Sequence, residues 1–160
     1  MKKLLLIRHA KATHEGGYID FERPLKPSGL RDAAIMAGRL KEHNIIPQIL
    51  VSSPALRTIA TANVLSEHMG LAKAEEIASI YDAASDDLLD IITQLNDSYN
   101  FIGLVGHNPA IAQVLYNLSG QSPDVSPGAV ALTEFNIDTW RDVGSNSGKL
   151  VYYDSPKDEA

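Results

Sequence analysis

The chain has 160 residues, 44% of them hydrophobic, and a formal charge of -6 from 20 acidic against 14 basic side chains. That balance argues against nucleic acid or an anionic membrane as partner, because both require a basic surface, but it leaves room for a small anion in a locally positive pocket. Cysteine is absent, which excludes disulfides, thiolate-bound metals and thiol catalysis.

The first element is Leu4-Leu5-Leu6-Ile7, an apolar run of four that stops at Arg8-His9. A short run bounded in this way predicts a buried parallel strand. Ligands of open α/β sheets bind just past the carboxyl ends of such strands, so Arg8 and His9 stand where a ligand would sit. The run is shorter than the roughly 7–15 residues of a signal-peptide core. No stretch approaches the roughly 18 apolar residues of a transmembrane helix. The expectation is therefore a cytoplasmic protein. Length and the lack of repeats or linkers predict one domain over residues 1–160.

Residues 13–28 are polar and rich in turn formers, and a loop of this length inside a compact domain is usually functional or disordered. Ser28 is placed as the cap of a helix reaching about Glu42, with Leu30, Ala33, Ala34, Ala37 and Leu40 on one face. Ile49-Leu50-Val51 reads as a second buried strand. Ser53 and Pro54 then read as cap and first residue of a helix that stops at Gly70. Glu76 to Ile80 is a weaker strand, Tyr81 to Ser85 a connection, and Asp86 to Leu95 a helix. Phe101 to Val105 is the next strand, followed by Gly106-His107-Asn108-Pro109. Asn108 is placed as cap of a helix that Gly120 closes. Ala129 to Asn136 and Lys149 to Tyr153 are expected to pair as an antiparallel edge hairpin, with a frayed tail over 154–160. Strands alternating with helices predict an α/β protein: a three-layer α/β/α sandwich with a mainly parallel sheet.

Three strands therefore end in reactive groups: Arg8-His9, Ser52-Ser53 with Arg57 one turn later, and Gly106-His107. At one sheet edge they would put two histidines and two arginines in one pocket, beside helix N-termini that favour anions. The planar fork of arginine suits phosphate. The convergent chemistry is phosphate binding with histidine available as nucleophile. Taken singly, each element also reads as ordinary capping or a turn. His14, His43 and His68 are read as solvated. A metal site is disfavoured: no His-x-His or His-Glu-x-x-His spacing exists, and the arginines would repel a cation. No Gly-rich phosphate loop is present.

The same residues resemble the histidine phosphatase superfamily. Ile7-Arg8-His9-Ala10 is similar to its Arg-His-Gly signature. Ser52-Ser53-Pro54-Ala55-Leu56-Arg57-Thr58 resembles its Ser-x-x-x-Arg-x-x-x-Thr helix, with Thr61 also fitting the final position, and Gly106-His107-Asn108 its second histidine motif. The short length, Arg8-His9-Ala10-Lys11-Ala12 and Arg23-Pro24-Leu25 look most like the small branch of SixA-like phosphohistidine phosphatases. The resemblance implies a phosphoglycerate mutase-like fold, no cofactor, and a phosphatase whose His9 takes up the phosphoryl group. Arg8, Arg57 and His107 would hold the phosphate oxygens, and Arg23 would add a further guanidinium. The implied substrate is protein phosphohistidine, with a small phosphomonoester as the alternative; a non-catalytic phospholigand-binding module is a third reading. Two positions depart from the pattern: Ala10 replaces the usual glycine and Ala12 the usual threonine. The family's general acid, often glutamate, aligns with Tyr81 beside Asp82, which are the candidate proton donors; a purely packing role for Tyr81 is the alternative.

Overall fold

The computed structural model describes residues 1–156. Its strands are β1 (Lys2–Arg8), β2 (Ile49–Ser52), β3 (Glu75–Glu76), β4 (Phe101–Gly106), β5 (Val130–Phe135) and β6 (Gly148–Asp154). Its α-helices are α1 (Pro27–Glu42), α2 (Leu56–Met69), α3 (Ser85–Thr93) and α4 (Ala110–Ser119). The strands form one sheet in the order β3-β2-β4-β1-β5-β6. β1, β2, β3 and β4 pair in parallel, whereas β5 runs antiparallel to both β1 and β6.

Alternation along β1 explains the three layers. Leu4 and Leu6 enter the core shared with α3 and α4, while Leu5 and Ile7 enter the opposite core against α1 and α2. All four side chains are buried. Burial on both faces is why the strand is continuously apolar rather than alternating. The parallel register matters most for function. Arg8 lies beside Gly106 and Ser52 beside Val105, so the carboxyl ends of β1, β2 and β4 share one edge of the sheet. Among the described residues no helix is long and apolar enough to cross a membrane.

The structure moves several boundaries. α1 starts at Pro27 with Lys26 as its cap, so Ser28 lies inside the first turn. Proline's fixed φ suits the first helical position, and the Lys26 N–H is held by the Lys11 carbonyl, which keeps Lys26 extended. α2 begins at Leu56, because Ser53 Oγ turns back to accept the Ala55 N–H before the helix starts. α4 begins at Ala110 with Pro109 as cap, although Asn108 Oδ1 still accepts the Ala112 N–H. The weak strand shrinks to Glu75–Glu76 and passes into a 3₁₀ turn at Ala78–Ile80. Fraying does not begin at residue 154: Asp154 ends β6, Ser155 and Pro156 are buried, and Arg39 holds both the Asp154 carboxylate and the Ser155 carbonyl. The rest of that tail lies outside the described residues.

Candidate active site

A cavity of about 300 Å³ opens at the shared strand edge, lined by Arg8, His9, Arg57 and His107. Arg23, His14, Lys11 and Lys26 complete its charged wall, with Ala12, Asn108 and Pro127 filling the remainder. Five of these residues are permanently cationic and none is Asp or Glu. In a chain of net charge -6, such a wall is a local anion trap.

His9 follows β1 directly and is 8% exposed. Its Nδ1 lies 2.8 Å from its neighbour's carbonyl, Ala10 O. A carbonyl only accepts, so Nδ1 bears the proton and Nε2 keeps its lone pair. Burial, reinforced by His107, Arg57 and Arg8, lowers the His9 pKa to about 3. The ring is therefore neutral at pH 7, with a free nitrogen able to attack an electrophile. Ala10 is fully buried, and its N–H donates to Thr61 Oγ1 at 3.0 Å. Thr61 in turn donates to the Arg57 carbonyl at 2.8 Å, which ties the His9 loop to α2.

His107 lies across the cavity, its ring centroid 5.4 Å from that of His9. Its Nε2 hydrogen-bonds Ser53 Oγ at 2.8 Å. When Ser53 donates, the His107 proton resides on Nδ1, which has no protein partner. Burial first, then Arg57, lowers the His107 pKa to about 4. Arg8 Nη1 and Asn108 Nδ2 both donate to the Val125 carbonyl, at 3.0 and 2.8 Å, so the 122–128 loop braces this wall. Desolvation lowers the Arg8 pKa from its ordinary value. Among the described residues, Arg8 Nε, Arg57 Nε and His107 Nδ1 are buried without a partner. Orphaned buried donors are costly, and their concentration in residues of one cavity is what a ligand-binding site requires.

Asp20 is the residue that reading the sequence missed. It opens a 3₁₀ turn at Asp20–Glu22 inside the 13–28 loop. Its Oδ2 accepts from Tyr81 Oη at 2.6 Å and Arg57 Nη2 at 3.1 Å, and its Oδ1 accepts from Arg23 Nε at 3.0 Å. Its backbone carbonyl accepts from Arg57 Nη1 at 2.8 Å. The Tyr81 hydrogen bond, then Arg57 and Arg23, hold its carboxyl well below the usual range. Only the Asp20-x-x-Arg23 spacing could have signalled it.

Arg8, His9, Arg23, Arg57 and His107 thus meet, but the two candidate proton donors do not line the cavity. The Tyr81 hydroxyl is committed to Asp20, which raises its pKa, and the ring sits edge-on to His107. Asp82 faces a separate depression with Ser79 and Asp87. His14 is exposed, as read from the sequence, and also lies on the cavity wall, with its Nδ1 3.3 Å from Arg23 Nη1.

A family model described as histidine phosphatase superfamily (branch 1) matches residues 4–82. The uncharacterized protein Rv1276c of Mycobacterium tuberculosis is 32% identical over 160 residues, spanning 82% of this chain and 99% of that protein. A crystal structure assigned as phosphohistidine phosphatase SixA from Agrobacterium tumefaciens superposes with a TM-score of 0.83 at 23% identity, covering 97% of this chain and 98% of that one. The protein histidine phosphatase SixA complexed with tungstate gives 0.79 at 20% identity, covering 97% of each chain. At these identities the structural likeness establishes the fold.

Proposed function

The chain belongs to the histidine phosphatase superfamily and is a phosphatase, and from that premise we propose that it works without a metal through a phosphohistidine intermediate on His9, with protein phosphohistidine as substrate. The observation that carries this reading is the His9 ring: neutral, with Nδ1–H donated to the Ala10 carbonyl and Nε2 left as the nucleophilic nitrogen. Its lone pair attacks phosphorus while the bond to the leaving group breaks and takes its electron pair. Arg8, Arg57 and His107 hold the equatorial oxygens as charge shifts in a loose transition state. A water oxygen then attacks phosphorus, the P–N bond returns its pair to Nε2, and inorganic phosphate leaves with the protons of the water.

Leaving-group chemistry supports the phosphohistidine substrate. Among the described residues no carboxylic acid lines the cavity, and the Tyr81 proton is held by an ionised Asp20. An alkoxide departs poorly without a proton donor. A phosphoimidazole already protonated on its second nitrogen leaves as neutral imidazole and needs none. The five cations of the wall favour a bound anion and oppose a bound metal ion. The second reading, a small phosphomonoester, draws support from Lys11 and Lys26. Both line the cavity beside the bridge of Ala12 and Leu25, where, with Asp32 3.2 Å from Lys11 Nζ, they would meet a further anionic group.

The deciding experiment compares wild type with His9→Ala on a phosphohistidine peptide and an aryl phosphate, with chelator present. The proposal requires turnover insensitive to chelator, an acid-labile phosphoenzyme, loss of both in His9→Ala, and preference for the peptide. Equal or better aryl phosphate turnover would favour the small-molecule reading. Phosphate binding without turnover would leave a binding module.

A further inference from the structure

Residues that contact a bound phosphate need their own orientation fixed, and Arg57 is the one most in need of it. It is a long side chain on the first turn of α2. An unrestrained arginine samples many rotamers and loses that freedom when it binds. Here both terminal nitrogens are already held by one residue, Asp20, through its Oδ2 and its backbone carbonyl. Those two contacts use two of the five guanidinium N–H groups and leave three for a ligand. Asp20 itself does not line the cavity, so it holds Arg57 from outside without competing for the anion. The same carboxylate takes Arg23 and Tyr81, and Tyr81 packs edge-on against both Phe21 and His107. Four segments thus converge on one exposed carboxylate: the 13–28 loop, α2, the turn at Tyr81 and, through that ring, His107.

We propose that Asp20 is a positioning residue of this phosphatase: it sets the Arg57 guanidinium against the cavity and, with Tyr81 and Arg23, fastens the 13–28 loop beside it. The proposal rests on the phosphate-site reading above. It also assigns Tyr81 a structural task, presenting its hydroxyl to Asp20, in place of proton donation to a leaving group.

A double-mutant cycle tests it with two readouts: inorganic phosphate binding by calorimetry, and kcat and KM on an aryl phosphate. Asp20→Ala should weaken phosphate binding and lower kcat about 10- to 100-fold, the range expected when a contact group is misplaced by an ångström or its supporting partner is removed. In an Arg57→Ala background the same substitution should weaken phosphate binding several-fold less than in wild type, because the guanidinium it sets is gone and only its hold on Arg23 and the loop remains. Tyr81→Phe should give a smaller loss of the same kind, absent once Asp20 is removed, and should leave the pH profile of kcat unchanged on its basic side. Equal losses from Asp20→Ala in both backgrounds, or none in wild type, would overturn the proposal. So would a basic limb that disappears in Tyr81→Phe. Thermal melting verifies folding of each variant. If Asp20→Ala does not fold, Asp20→Asn, which keeps the side-chain size and one neutral acceptor oxygen, is read in the same cycle. If wild type turns over nothing, the phosphatase reading falls while the phosphate-binding cycle still decides the role of Asp20.

Discussion

Acidification from pH 7.5 to 5.0 should destabilise this protein through His9, by an amount the structure sets. The ring is buried with a pKa near 3, against about 6.5 in the unfolded chain. Between those values the unfolded state binds a proton that the folded state refuses, so stability rises with pH across the window and falls as pH drops. At pH 5.0 the unfolded ring has been protonated over 1.5 pH units, which amounts to about 2 kcal/mol from His9. His107, lowered to about 4 but partly open to the cavity, adds about 1–2 kcal/mol after allowance for solvent screening. The carboxylates, Asp20 among them, lose their stabilising contribution only at lower pH, so the window isolates histidines. The assay is urea unfolding at both pH values in phosphate-free buffer, because phosphate bound to the folded state would mask the effect. Wild type should lose about 3–4 kcal/mol, and His9→Asn about 2 kcal/mol less than wild type. Equal losses in the two proteins would refute a neutral, desolvated His9 and with it the basis of its nucleophilicity.

Three further outcomes are expected. Thr61→Val keeps the side-chain shape but strands the buried Ala10 N–H, so chemical unfolding should show a loss of about 1–3 kcal/mol and steady-state kinetics a lower kcat. Gly29→Ala would bring a Cβ within 2.3 Å of the Lys11 carbonyl oxygen, a backbone atom. The start of α1 or the 11–13 segment must then shift, so melting temperature and activity should both fall. Lys2→Met removes a buried ammonium that donates to Asp97 O, Tyr99 O and Asn100 Oδ1, acceptors that lie nearer the surface, Tyr99 O keeping the Trp140 Nε1–H as a second donor. Urea unfolding should show a loss of about 1–2 kcal/mol with kcat on an aryl phosphate unchanged, since Lys2 lies at the opposite end of β1.

Local chemistry made much of this molecule legible from its residues. The unbroken Leu4–Ile7 run identified a strand covered on both faces, and Gly70 and Gly120 marked helix ends where φ is positive. Parallel strands followed by helices placed Arg8, His9, Arg57 and His107 at one edge, because consecutive parallel strands put their carboxyl ends together. Helix starts were less legible: Ser28 and Ser53 are good caps by type, yet Pro27 and the turn through Ser53 moved the boundaries.

Partnerships across long sequence separations were decided by the tertiary structure alone. Asp20 meets Arg57 37 positions away and Tyr81 61 positions away, and Ser53 meets His107 across 54. No periodicity encodes such pairs, because each depends on how a loop packs over an edge that other strands build. The same holds for Lys2, a charge on an apolar strand whose three acceptors lie more than 90 residues downstream. Residue types and spacing determined which groups this protein could bring to a phosphate. The packing of the 13–28 loop decided how Arg57 is held, and that the Tyr81 proton goes to Asp20.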